Sequence, residues 1–181
     1  MDTAVVVATK DDFDAIAALN VAAYEEFAPH LEPGGWDLMR ANLGKVASRA
    51  ERGRFLVVRH EGRLIASVAY CPPGFSDPTI FDPATASVLL LSVHPQHRGR
   101  GLAKLLVMEA IARARQDQAE RIGLFTSELM TAAQRLYHQL GFRHDGDLPR
   151  RYGVRYLRLL LDLHGDAAAF DLQPNFQHSR Q

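Results

Sequence analysis

Arg98-Gly99-Arg100-Gly101-Leu102-Ala103-Lys104 sets small residues among cations, directly after an apolar stretch and directly before a periodic one. A turn of that composition between a strand and a helix leaves the first helical amides unbonded. The positive end of the helix dipole adds to their attraction for an anion. Gly99, Gly101 and Ala103 keep side chains away from a phosphate, while Arg98, Arg100 and Lys104 bring positive charge. The same residues also suit a tight turn with solvated arginines, and a short glycine pattern does not separate the two readings. Two better-known phosphate loops fit worse: there is no Gly-Lys-Ser or Gly-Lys-Thr ending, and Gly-x-Gly-x-x-Gly fails at Lys104.

Tyr137 is the second residue suited to chemistry, inside Ala133-Gln134-Arg135-Leu136-Tyr137-His138-Gln139-Leu140-Gly141-Phe142. A phenol with a pKa of about 10 can hydrogen-bond to a leaving group and return a proton to it. Packed beside Phe142, it can equally be a core tyrosine. Glu25, Glu26, Asp82 and Glu128 fall near predicted loop ends, and each reads first as a solvated carboxylate. His94 and His97 read as parts of the turn. His138 and His144 lack a third ligand at metal spacing, and Cys71 is the only cysteine, so no metal and no intrachain disulfide are expected.

These residues need elements to position them. Residues 4–8 read as a short strand, with Thr9 and Asp12 opening a helix through Phe13, Ile16, Ala17, Leu19, Asn20 and Ala23. After Pro29, Pro33 and Gly34-Gly35, a second helix is predicted over residues 36–52. Residues 55–58 and 64–70 form a hairpin across Glu61-Gly62, a proline-rich loop occupies residues 71–83, and residues 86–93 are an apolar central strand. A helix from Gly101, a strand over residues 122–126, a helix over residues 131–140 stopped by Gly141, and two final strands complete the order. The order is mixed α/β without the strict alternation of a doubly wound sheet.

The 181 residues, 47% of them hydrophobic, suit one domain, placed at residues 1–163, with residues 164–181 a tail that is partly ordered at most. Lysine plus arginine and aspartate plus glutamate both number 21, so no global field recruits nucleic acid or an anionic membrane. The first residues lack the basic start and long apolar run of a secretory signal, and no stretch approaches the roughly 20 apolar residues of a membrane helix. A cytoplasmic location is expected.

Arg98-x-x-Gly101-x-Ala103, preceded by Val93-x-Pro95, resembles the acyl-CoA pyrophosphate signature of the GNAT superfamily of N-acyltransferases. The segment from Ala133 to Phe142 independently resembles that family's later Ala-x-x-Leu-Tyr-x-x-x-Gly-Phe motif. The resemblance implies a GNAT-like single domain: a mixed sheet of about seven strands, splayed at the fourth, flanked by about four helices. It implies that acetyl-CoA is the acyl donor, bound along Leu91, Ser92 and Val93 and by the loop from Arg98 to Lys104. Tyr137 is then the general acid, and the acceptor is a primary amine of a small molecule, peptide or protein attacked directly in a ternary complex. The family's frequent pairing through sheet edges or helices admits a homodimer.

Direct transfer needs an unprotonated amine, and a lysine-like amine of pKa about 10.4 is almost wholly protonated at neutral pH. The apolar strand over residues 86–93 has no carboxylate where many relatives carry one, and Met130 stands where many have asparagine. A cofactor hydrogen bond is then missing or replaced by Ser127, Glu128 or Thr131. These departures favour the rival reading, a catalytically silent acyl-CoA sensor or scaffold; a nucleotide-binding protein is a more distant rival. The segment over residues 24–36 and the loop over residues 71–83 are the expected acceptor region, and the first, with Glu25, Glu26, His30 and Glu32 among aromatics, suits a cationic amine.

Overall fold

The computed structural model describes residues 4–164, so all but the first residue of the expected tail lies outside the described residues. Strands β1 (Val5–Val7), β2 (Arg54–His60), β3 (Arg63–Cys71), β4 (Thr85–Val93), β5 (Arg121–Ser127), β6 (Arg143–Arg151) and β7 (Val154–Asp162) make one sheet. Its order is β1-β2-β3-β4-β5-β7-β6, and only β4 and β5 run parallel. Helices α1 (Phe13–Tyr24), α2 (Gly35–Leu43), α3 (Val46–Ala50), α4 (Leu102–Gln116) and α5 (Thr131–Gln139) flank it.

The helix expected over residues 36–52 is in fact two, which raises the number from about four to five. Gly44 and Lys45 leave the helix, Lys45 with ψ 53°, and the backbone turns so that Val46 is buried beside Ile16 and Phe55. Asn20, itself fully buried, donates its Nδ2 to the Leu43 carbonyl at 3.2 Å and so satisfies an end group of α2. Periodicity continues across the break because both helices bury the same face of the chain. Another turn escaped the pattern: after α1 the chain tightens into a 3-10 helix, Glu25–His30.

Apolar side chains cover both faces of the sheet. On one, Leu102, Leu106, Val107, Ala110 and Ala114 of α4 pack with Tyr137 and Phe142 against Val68, Ala86, Val88 and Leu124. On the other, Ile16 of α1 and Val46 of α3 meet Phe55, Val57 and Ala69. At the hairpin between β2 and β3, Glu61 and Gly62 both take positive φ, 49° and 76°, the geometry of a two-residue turn that matches strand twist.

The middle of the sheet is irregular. Ala69 faces Leu89 and Ser67 faces Ser92, so β4 carries one extra residue against β3, and Leu90 has φ 54°. That is a β-bulge with a non-glycine residue in the left-handed region, a conformation that neighbouring packing must hold. On its other side β4 pairs with β5 only from Thr85↔Arg121 to Ser87↔Gly123. The strands therefore part from Val88 onward, within the fourth strand as expected.

Candidate active site

The parting of β4 and β5 opens a cavity on each side of the sheet's centre. The first, of about 610 Å³, is lined by Leu91 and Val93 of β4, by His97, Arg98, Gly99, Gly101, Leu102, Ala103 and Lys104, by Met130 and Thr131, and by Tyr137. The loop enters α4 through Gly99 and Gly101, whose φ values of 74° and 77° favour glycine. A Cβ built on either would meet no protein atom within 4 Å, so the space they face is open. The first helical bond runs from Leu105 N to the Gly101 carbonyl at 3.0 Å, which leaves the amides of Leu102, Ala103 and Lys104 without partners inside α4. Free amides, a helix N-terminus and a roomy apolar wall together fit a pyrophosphate with an extended arm.

The sequence grouped three cations in this loop, and the fold gives them different roles. Arg98 is tied down: its Nη2 donates to the Ala23 carbonyl at 2.9 Å and its Nη1 meets Glu26 at 2.8 Å, clasping the loop to the end of α1. Lys104 lines the cavity, whereas Arg100 is exposed and does not. His94 accepts from Gln96 N at 3.3 Å and braces the turn, in keeping with a structural part.

Ladder parity sorts β4. His94 N donates to the Ile65 carbonyl at 2.9 Å, so in register the backbone of Ser92 faces Ser67 of β3. The amides of Leu91 and Val93 consequently point into the gap. Ser92 thus departs from its expected part: it is absent from the cavity wall, and its buried hydroxyl donates to Asn20 Oδ1 at 2.7 Å. Through Asn20 it fastens β4 to α1 and the end of α2.

Tyr137 packs edge-to-face on Phe142 with centroids 5.8 Å apart and lines the first cavity. Burial pushes its phenol well above the ordinary value, with a further contribution from nearby Tyr24. Tyr24, the last residue of α1, donates its hydroxyl to the Leu91 carbonyl at 3.3 Å, and burial raises its pKa as well. Neither phenol serves as a base near neutrality; each retains a proton to give.

The second cavity, of about 450 Å³, lies across Tyr24 and Met130, which line both. Its walls come from α2 and α3 (Met39, Asn42, Arg49), the loop after β3 (Phe75, Asp77, Phe81), β4 (Leu89, Leu90), β5 (Phe125) and the β6–β7 turn (Arg151, Tyr152, Tyr156). The β6–β7 turn is docked by Glu32 N, which donates to the Tyr152 carbonyl at 3.1 Å. Among the described residues Asp77 is the only carboxylate on this wall, and it accepts from Thr79 N and Oγ1 at 2.9 and 2.7 Å. Those bonds hold it below the usual carboxylate range.

None of the carboxylates singled out from sequence lies on this second wall. Glu26 pairs with Arg98, Asp82 with Arg121 at 2.7 Å, and Glu128 accepts from Arg155 N at 2.9 Å. Glu25 and Glu32 are outside it too, whereas Phe75, Asp77 and Phe81 of the loop over residues 71–83 line it together with Lys45, Arg49, Arg52 and Arg151. Ser127 and Glu128 do not reach the first cavity, whereas Thr131 does. No group of histidine, cysteine or carboxylate side chains suited to a metal occurs among the described residues. None of their helices is long and apolar enough to cross a membrane.

The sequence profile of the Acetyltransferase (GNAT) family matches residues 13–142. Mycothiol acetyltransferase of Thermobispora bispora is 29% identical over 131 residues, 72% of this chain and 43% of that protein. Human N-acetyltransferase 8B is 33% identical over 110 residues, 61% of this chain and 45% of that protein. The chain thus spans less than half the length of either relative. Among solved structures, the PaiA N-acetyltransferase of Thermoplasma acidophilum in complex with coenzyme A superposes with a TM-score of 0.67, covering 87% of this chain and 98% of that one. At 13% identity that likeness carries the fold alone.

Proposed function

Because the chain belongs to the Acetyltransferase (GNAT) family, we propose that it is an N-acetyltransferase that takes the acetyl group of acetyl-CoA and delivers it to a primary amine. The observation that carries this reading is the pair of cavities meeting at Tyr24 and Met130, where β4 and β5 part. A donor in the first and an acceptor in the second would approach each other through the sheet.

Acetyl-CoA supplies the acyl group as a thioester: the amine nitrogen bonds to the acyl carbon, the carbon–sulfur bond breaks, the amine loses a proton and the thiolate gains one. The amides of Leu102, Ala103 and Lys104, with the open space at Gly99 and Gly101, would hold the pyrophosphate. The amides of Leu91 and Val93 would pair with the pantetheine arm as an added strand would. Tyr137, kept protonated by burial, would donate to the departing sulfur. Asp77 is already hydrogen-bonded and strongly ionised, so the amine arrives neutral or passes its proton to water.

Tyr137→Phe tests the assignment. It keeps the contact with Phe142 and removes only the hydroxyl, so kcat should fall about 100-fold or more, with the KM for acetyl-CoA little changed. Unchanged turnover would remove Tyr137 from the reaction. Tight coenzyme A binding with no turnover on any amine would instead make the chain an acyl-CoA-binding module.

A further inference from the structure

We infer that the acceptor carries an anionic group, a carboxylate or phosphate, close to its amine, and that Arg49, Arg52 and Arg151 receive it. The inference rests on the proposed N-acetyltransferase reading and narrows its acceptor.

Among the described residues six arginines elsewhere pair with carboxylates, Arg59 with Asp12, Arg98 with Glu26, Arg113 with Glu109, Arg121 with Asp82, Arg155 with Asp147 and Arg158 with Asp145, while others, Arg150 among them, do not. Arg49, Arg52 and Arg151, which meet on the acceptor wall, donate to neutral groups or lie against aromatic rings, and Arg52 and Arg151 are near enough to Asp77 to help hold its carboxyl low. Arg49 donates to the carbonyls of Asn42 and Lys45 at 2.7 and 2.9 Å and to Asn42 Oδ1 at 3.1 Å. Arg52 donates to the Ser76 carbonyl at 3.0 Å. Arg151 lies over Phe125, 5.0 Å from the ring centroid, and beside Tyr156 at 5.8 Å.

Lys45 adds a further cation, and among the described residues the one carboxylate on this wall, Asp77, accepts from Thr79 Oγ1 and faces three arginines and a lysine. Arg49 is half-buried, and burial lowers its pKa against a smaller opposing effect of Tyr152, Cys71 and Tyr24. A planar guanidinium held in place with spare donors suits a carboxylate or phosphate oxygen pair. The remaining wall is mostly apolar and aromatic, with Asn42, Ser48 and Ser87 among it and Phe75 54% exposed. A cationic polyamine or a lysine-rich peptide would meet repulsion there. The same field disfavours the ammonium form of the acceptor and so lowers the cost of presenting a neutral nitrogen.

Matched amines test this with the full chain and acetyl-CoA, following release of the coenzyme A thiol. L-Phenylalanine is compared with 2-phenylethylamine for the carboxylate, and 2-aminoethyl phosphate with ethanolamine for the phosphate. At least one anionic member should exceed its neutral match by about tenfold or more in kcat/KM, and the arm that does so identifies the anion. Arg49 also braces the α2–α3 joint, so the variants are Arg52→Gln and Arg151→Gln, each checked by thermal melting. In a folded variant the anionic-over-neutral ratio should fall several-fold.

Calorimetry with 3-phenylpropionate and with inorganic phosphate, neither of which is an acceptor, reads the anion site without turnover. Turnover with no anionic preference on either arm overturns the inference and leaves the N-acetyltransferase reading standing. No turnover on any amine, with anion binding that weakens in the arginine variants, does the reverse. Absence of both preference and anion binding overturns the inference whatever the turnover.

Discussion

Tyr24 and Tyr137 approach the same point from α1 and α5, and both phenols are pushed above their ordinary value by burial. An ordinary phenol of pKa about 10 is half ionised at pH 10, whereas Tyr137 retains its proton there. Asp77, depressed by its bonds to Thr79, is ionised throughout the neutral range and is a weak base. Tyr24, Tyr137 and Asp77 are therefore not set to titrate with the reaction near neutrality. The logarithm of kcat/KM for the amine should rise with unit slope up to the pKa of the amine itself and level off above it. Substituting an amine of lower pKa should move the limb by the same interval. A limb fixed at one pH for all amines would reveal a protein base and defeat this account.

At the scale of elements, the acceptor wall depends on a missing side chain. A Cβ on Gly123 of β5 would lie 2.3 Å from Phe81 Cε1 and 2.8 Å from Leu160 Cδ2, so the Phe81 ring occupies the space glycine leaves. Gly123→Ala should cost about 1 to 3 kcal/mol in a denaturant melt, and should raise the KM of the acceptor more than that of acetyl-CoA. A stability loss with both KM values unchanged would show that Phe81 does not shape acceptor binding.

This dependence illustrates what could be read in advance. The loop before α4, the hairpin at Glu61-Gly62 and the segment ending at Phe142 are local, and their turn residues and periodicity sit within a few positions of one another. The acceptor wall joins residues as distant as Arg49, Phe81 and Tyr152, which no local pattern links. Ser92 misled for a related reason. Its place in the strand was legible, but the direction of its backbone follows from the bulge at Leu90 and the pairing with β3, which are tertiary facts. Arg52 and Arg151 gave no sequence signal, because the wall that brings them together with Arg49 exists only once the fold has formed.

For the molecule as a whole, the outer margins of the sheet offer little to a further strand. β1 has three residues, and β6 combines Pro149 with many charges and two breaks in its pairing with β7. The break between β4 and β5 places an unpaired ladder in the interior instead, with Leu91 and Val93 turned toward it and Ser92 turned away. Amide hydrogen exchange should register this residue by residue. In the free protein Leu91 and Val93 should exchange faster than Ser92, and saturating coenzyme A should slow the first two and leave Ser92 as it was. Fast exchange at Leu91 and Val93 in the saturated protein would exclude an arm lying along β4. An alternating record of this kind would make β4 half of an internal sheet edge that its own donor completes.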